Sequence, residues 1–220
     1  MTDKWFMRIL LSPLALLFGV GVAIKGLLYE MGLLKGVKFD IPTINVGNLT
    51  VGGSGKTPHV EYLIQLLSPY LPLATLSRGY KRKTKGFMIA RPGFTSDTVG
   101  DEPLMYARKY PHITVAVSES RVIGVPKLLQ SRPGIRAIIL DDAYQHRAIE
   151  PSLNILLTEH NDPFYNDWLL PAGRLREWRA GYQRAHLIIV TKCPEDLTID
   201  EKVRIMGKIC LLYTSPSPRD

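Results

Sequence analysis

The chain has 220 residues, 45% of them hydrophobic and 22% charged, with a formal net charge of +8. That balance excludes a disordered or collagen-like chain, and two cysteines exclude both a disulfide-built secreted scaffold and a four-thiolate zinc site. The basic excess points to an anionic partner (nucleic acid, an acidic membrane or a phosphorylated ligand), and the length suits one large domain or one and part of a second.

The first element is the uncharged run Ile9–Ile24, continued beyond Lys25 by Leu27, Leu28, Leu33 and Leu34. A spanning helix needs about 20 apolar residues, so the run is short unless Lys25 snorkels. A cleaved signal peptide fits in length, but no A-x-A-like site follows. A helix in the membrane interface fits too, because Lys4, Arg8, Lys25, Lys35 and Lys38 suit acidic headgroups. Basic residues flank both sides, so spanning and interfacial placement both stay open, and a helix buried in a soluble core is the plainer alternative.

From Ile41 onward short apolar runs alternate with helical stretches. Strands are expected at Ile41–Val46, Leu73–Leu76, Ile113–Val117, Arg136–Leu140, Leu153–Leu157 and Leu187–Val190, and helices at Pro58–Leu67, Asp101–Tyr110 and Arg121–Gln130. Continuous apolar strands separated by helices predict an α/β fold: a mostly parallel sheet covered on both faces, of the P-loop NTPase-like kind.

The first predicted strand runs into Gly52-Gly53-Ser54-Gly55-Lys56-Thr57 and a helix. Glycines let backbone N–H groups turn toward phosphate oxygens, and the helix N-terminus adds favourable partial charge. Lys56 is placed to reach the β- and γ-phosphates of a nucleotide and the Thr57 hydroxyl to ligate Mg²⁺. Thr50 stands where the general pattern has its first glycine. Asp141-Asp142, ending an apolar strand, supply carboxylates for the metal, and the sequence does not say which of the two binds it.

At the other end, 210–220 reads CLLYTSPSPRD, with two Ser-Pro pairs and no continuation of the helical pattern before it. The string resembles the translation of a sequencing-library adapter and is expected to be non-native. The expected organisation is a membrane-associated helix region over 1–38, a nucleotide-binding kinase domain over 39–209 and this tail over 210–220.

Several ordered blocks carry a family resemblance. Asn45-Val46-Gly47-Asn48-Leu49-Thr50-Val51, the glycine loop, Leu76-Ser77-Arg78-Gly79-Tyr80, Gly100-Asp101-Glu102-Pro103, Leu140 through Arg147 and Leu170 through Glu177 together resemble the tetraacyldisaccharide 4'-kinases of lipid A biosynthesis, over essentially 1–209. In that family Thr50 and Pro58 are ordinary. The resemblance implies transfer of the ATP γ-phosphoryl group to the 4'-hydroxyl of a lipid-linked glucosamine disaccharide 1-phosphate. It also implies work at the cytoplasmic face of the inner membrane of a Gram-negative bacterium, beside acidic lipids. It places the catalytic base at Asp101, which the family pairs with a histidine from a second, C-terminal domain that 1–209 does not contain. A fragment without that domain is expected to have little kinase activity.

Catalysis is therefore expected of Asp101 and Lys56, and substrate contacts of Glu102, Arg78, Arg121 and His146. Arg147 sits in a matched block and suits phosphate, while Arg174, Arg176 and Arg179 are equally readable as phosphate contacts or surface charges. Lys81 through Lys85 reads as an exposed loop or headgroup contact, and His59, His112, His160 and His186 as structural or surface groups. Two rivals remain. A GTPase or metal-delivery protein is weakened by Pro194, which stands at the Asp of an N/T-K-x-D base-reading pattern, and by the lack of a Cys/His cluster. A membrane-tethered nucleotide-binding scaffold without turnover is the other. No nucleic-acid-binding module is evident.

Overall fold

Helix α1 spans Thr2–Glu30, so the first apolar run is one long helix that continues past Lys25. The computed structural model describes residues 2–210; the expected adapter-like tail lies outside them apart from Cys210. Seven strands follow: β1 Thr43–Asn48, β2 Leu73–Ser77, β3 Met88–Ile89, β4 Thr114–Val117, β5 Ala137–Asp141, β6 Leu153–Glu159 and β7 Leu187–Thr191. They form one sheet in the order β3-β4-β2-β5-β1-β6-β7. All neighbours are parallel except the short edge strand β3 on β4.

Every residue of β2 and β5 is buried, which is why these strands read as unbroken apolar runs. Helices α2 (Lys56–Leu67) and α4 (Asp101–Lys109) cover one face, where Val60, Ile64 and Tyr106 pack on Val46, Ile139 and Ile155. Helix α5 (Arg121–Ser131) covers the other, with Val125 and Leu128 on Leu76, Ile138 and Leu140. Each such fully buried side chain contributes about 1.5–3 kcal/mol. Acidic residues open α4 and Arg108 and Lys109 close it, matching the macrodipole at both ends. A short helix α3 (Ser96–Val99) precedes α4.

Two elements depart from expectation. Strand β3 has only two residues and no periodicity to read. Helix α6 (Ile199–Cys210) takes up the helical pattern that precedes the tail, where no bounded helix was assigned. Its start is a capping box: Glu201 Oε2 accepts from the Thr198 N–H (3.0 Å) and hydroxyl (2.8 Å), and Thr198 Oγ1 accepts from the Glu201 N–H (3.3 Å).

Helix α1 is neither free nor buried in the core. It is long and apolar enough to cross a membrane by length and composition. One side docks on a third cluster, where Ala15 packs with Leu49, Leu156, Phe164 and Leu169. The Trp178 indole N–H donates to the Gly19 carbonyl (2.7 Å), Arg147 donates to the Gly26 carbonyl (3.3 Å), and Arg8 lies 3.6 Å from the buried Asp167. The other side exposes Phe6, Leu10, Leu14, Leu17, Ile24 and Leu27.

A side chain at Gly19 would strike Trp178 (2.5 Å) and Leu169 (2.7 Å), whereas one at Gly21 meets nothing. Gly19→Leu is therefore expected to weaken docking by about 1–3 kcal/mol, the usual cost of overpacking. Limited trypsin digestion checks this: α1 of Gly19→Leu should be cut several-fold faster than the wild type, and α1 of Gly21→Leu at the wild-type rate.

Candidate active site

The carboxyl ends of β1, β2, β4 and β5 open into a cleft of about 1010 Å³ lined by Lys56, Arg78, Asp101, Glu102, Asp141 and His146 among others. This is where open parallel sheets bind ligands. The glycine loop leaves β1 and enters α2, with Gly52 at φ 133° and Gly55 at φ 84°, conformations that side-chain-bearing residues rarely adopt. It is braced from behind: the Val51 N–H donates to the Arg174 carbonyl (2.7 Å), the Arg176 N–H to the Leu49 carbonyl (2.8 Å), and the Thr191 hydroxyl to the Ser54 carbonyl (3.1 Å). Gly53 is exposed at the loop tip.

Lys56 Nζ donates to Asn48 Oδ1 (3.1 Å) and lies 3.6 Å from Asp142 Oδ1. The Thr57 hydroxyl donates to Glu102 Oε1 (3.1 Å), which ties the loop to the start of α4. Asp101 is exposed at that start, after Gly100 at φ 94°. A Cβ on Gly100 would come within 3.0 Å of the Gly79 and Tyr80 backbone, so glycine here lets the Arg78-Gly79-Tyr80 turn rest against α4. Arg78 is exposed on the cleft wall.

The two aspartates separate in role. Asp142, in the left-handed region at φ 50°, is held by Arg176 Nη1 through both oxygens (3.1 and 3.0 Å) and sits near Lys56. Asp141 is buried; its Oδ2 accepts from the Tyr106 hydroxyl (3.2 Å), and its Oδ1 has no partner among the described residues. Burial first, then Glu102 and Asp142, push the Asp141 carboxyl up to about 7. The same surroundings raise the Tyr106 hydroxyl well above its usual range.

The buried Asp141 carboxylate and the Glu102 carboxylate bonded to the Thr57 hydroxyl supply oxygen donors of the kind a hard cation takes. The described residues hold no ready-made cluster of three or more His, Cys, Asp or Glu side chains. Mg²⁺ needs none, because it keeps several waters and takes one or two carboxylates beside substrate phosphates. Asn48 Nδ2, Ser54 Oγ, Ser77 Oγ and His146 Nε2 are also buried without partners among the described residues. Polar atoms left this way mark where a polar ligand completes the site.

Arg121 differs from the expected phosphate contact. It is buried, and its Nη2 donates to the carbonyls of Asp141 (3.0 Å) and Asp142 (3.3 Å). Burial lowers its pKa to about 10, against the attraction of Asp142 and Asp141. It supports the acidic turn from beneath while lining the cleft. His146 has its pKa lowered by burial and by Arg121, Lys25 and Arg78, so its ring is neutral at pH 7.

Of the basic residues that were equally readable as contacts or surface charges, Arg176 reaches the site, whereas Arg174 pairs with Asp162 and Asp167. Arg179 donates to the Asp167 carbonyl, and Arg147 holds α1. In the basic loop, Arg82 pairs with Glu119 and Lys83 with Asp97. Tyr106, Asn48 and Gln145 were not anticipated. Nor was Lys25, which lines the cleft although its sequence neighbours suggested a headgroup contact.

A glycine loop between a buried parallel strand and a helix, facing a paired-acid strand end, defines the P-loop class of nucleotide-binding α/β proteins. The profile of the family described as tetraacyldisaccharide-1-P 4'-kinase matches residues 7–215, and the chain belongs to that family. It is 48% identical over 213 residues to the tetraacyldisaccharide 4'-kinase of Phocaeicola vulgatus, covering 96% of this chain and 57% of that protein. With the enzyme of the same description from Flavobacterium psychrophilum it shares 50% identity over 193 residues, covering 88% and 56%. The crystal structure of the "apo" form of LpxK from Aquifex aeolicus in complex with ATP superposes with a TM-score of 0.78 at 40% identity, covering 84% of this chain and 59% of that one. The chain thus spans just over half the length of the curated relatives it matches.

Proposed function

We propose that the protein to which this chain belongs transfers the γ-phosphoryl group of ATP to the 4'-hydroxyl of a lipid-linked glucosamine disaccharide 1-phosphate. The observation that carries the reading is Lys56, held by Asn48 and Asp142 at the head of a glycine loop, in the same cleft as the exposed Asp101 carboxylate. The loop N–H groups from Gly52 through Thr57 cradle the phosphates, with Ser54 and the start of α2 beneath them. Lys56 spreads its charge over the β- and γ-oxygens. Thr57 and Asp141 would hold Mg²⁺, which when bound would neutralise charge on the transferring group. Asp142 and Arg176 fix the position of Lys56. Asp101 accepts the proton of the attacking sugar hydroxyl, and Arg78, Glu102 and the neutral His146 line the path of the acceptor.

Phosphorylation of the lipid disaccharide by the full-length protein tests the reading. ATP should be used far faster than GTP, label should appear at the 4'-position, and Lys56→Met should lower kcat/KM roughly 10²–10³-fold, the scale of losing one preorganised charge. Preference for GTP, or label elsewhere, overturns it.

Membrane placement follows from α1. Its docked contacts run from Arg8 to Gly26, about 27 Å at 1.5 Å per residue, nearly the hydrocarbon thickness of about 30 Å. A helix held to a polar domain over that length lies in the interface, apolar side in lipid. The proposed location is the cytoplasmic face of the inner membrane of a Gram-negative bacterium, where ATP is available.

A further inference from the structure

A second cavity, of about 640 Å³, opens where α1 ends and the chain turns toward β1. Its rim carries Lys35 and Lys38, both exposed and without an ion pair among the described residues, beside the exposed apolar Met31, Leu33 and Leu34. Its floor is the buried amide pair Asn45 and Asn154, joined by a 2.6 Å hydrogen bond. Arg147 stacks over Tyr29 on one wall, and Arg184 lies over Tyr144 and pairs with Glu177 on another. His186 Nδ1 accepts the Asn154 N–H (2.9 Å), so the neutral ring carries its proton on Nε2, a donor for a ligand. Glu150 is the one acidic residue in the lining.

We infer that this cavity binds the phosphate-bearing headgroup of an acidic membrane lipid. The inference rests on the interfacial placement of α1 proposed above. With Arg184 already paired to Glu177, Lys35, Lys38 and Arg147 against the one lining carboxylate still select an anion, and a cavity with a polar floor fits a phosphate ester better than an acyl chain. The source follows from position: Lys35 and Lys38 come directly after the exposed Leu33 and Leu34, just beyond the end of α1 and its exposed apolar side, which puts them at headgroup depth. The cavity also shares a loop with the active site. Asp142, Gln145 and His146 line the catalytic cleft, while Ala143, Tyr144 and Arg147 between and beside them line this cavity. A captured headgroup therefore buttresses the back of the catalytic loop.

Three probes test the inference: phosphatidylglycerol–phosphatidylcholine vesicles, soluble sn-glycero-3-phosphoglycerol, and inorganic phosphate. Each is titrated against the wild type, Lys35→Gln/Lys38→Gln, and Leu34→Trp, which blocks the rim and keeps the charge. Saturable one-to-one binding of the soluble headgroup is expected, weakened roughly tenfold or more by both variants. Vesicle affinity should fall similarly in the double variant, with ATP affinity unchanged in both. If vesicles bind but the soluble headgroup never saturates, and Leu34→Trp binds vesicles like the wild type, the attraction is diffuse and the headgroup site is overturned. If inorganic phosphate binds as tightly and vesicles give no advantage, a free phosphate is the ligand and the lipid source is overturned. If the wild type binds no vesicles at all, it is the interfacial placement of α1 that fails, and the headgroup inference with it.

Discussion

Asp101→Asn is expected to lower turnover of the lipid disaccharide by roughly 10²–10⁴-fold while leaving ATP affinity within about twofold of the wild type. The carboxylate is exposed at the first position of α4, lines the cleft, and has no hydrogen-bond partner among the described residues. Asparagine keeps its shape and its place in the helix but cannot accept the hydroxyl proton. The competing role is electrostatic support of the helix, worth about 0.3–1 kcal/mol at an exposed first turn. That role predicts a small loss of melting temperature and almost none of kcat. The two therefore separate in one set of measurements: kcat on the full-length enzyme, ATP dissociation constant by calorimetry, and thermal unfolding. A parallel loss of kcat and ATP affinity would sink the base assignment, because the proposed reading gives the nucleotide to Lys56 and Thr57, not to Asp101. Glu102 offers the internal contrast. It accepts the Thr57 hydroxyl at 3.1 Å, so Glu102→Gln should disturb nucleotide and metal binding more than Asp101→Asn does.

The sheet was legible because its strands are buried on both faces and so appear as unbroken apolar runs. Boundaries moved by a residue or two where the runs meet polar ends: β1 extends to Asn48, which accepts from Lys56, and β5 to Asp141, which lines the cleft. The glycine loop and the acid pair were legible for a different reason. Their chemistry needs fixed residue types at short spacing, which survives in one dimension. What the sequence could not order was the choice between neighbours. Asp141 and Asp142 are adjacent, yet the left-handed turn at Asp142 sends one carboxylate to Arg176 and leaves the other beneath the loop beside Tyr106. Tyr106 and Lys25 reach the site across the fold, from separate elements, with no local pattern to reveal them, and Arg176 was readable only as either a phosphate contact or a surface charge. Lys25 in particular sits among residues that read as membrane-facing, but its position on α1 turns it into the cleft. Helix α6 is legible through Thr198-Ile199-Asp200-Glu201, a capping-box spacing, and through Ile199, Val203 and Met206 at helical spacing.

Arg121→Met is expected to destabilise the protein by about 2–4 kcal/mol and, separately, to weaken nucleotide-dependent activity. The guanidinium is almost fully buried and is the donor to two consecutive carbonyls, those of Asp141 and Asp142. Removing it leaves both carbonyls without that donor, at about 1–3 kcal/mol for each group left unsatisfied, partly relieved by water entering from the cleft. It also removes a buried positive charge attracted by both carboxylates, leaving the acidic turn only Arg176 and Lys56 as counter-charges. Methionine fills comparable volume, so a cavity is not the cause of the loss. Arg121→Lys separates the two effects: a single ammonium can satisfy one carbonyl and keep the charge, and should recover a large part of the stability but not the two-carbonyl geometry that sets the Asp142 turn. Urea unfolding of the three proteins, read beside their ATP dissociation constants, checks the assignment. If Arg121→Met unfolds at the wild-type urea concentration yet loses activity, the arginine acts directly on substrate phosphate, as its place in the sequence first implied. If stability falls and Lys restores it while activity stays low, the arginine works through the backbone it holds, and the acid pair depends on a cation that never leaves the protein interior.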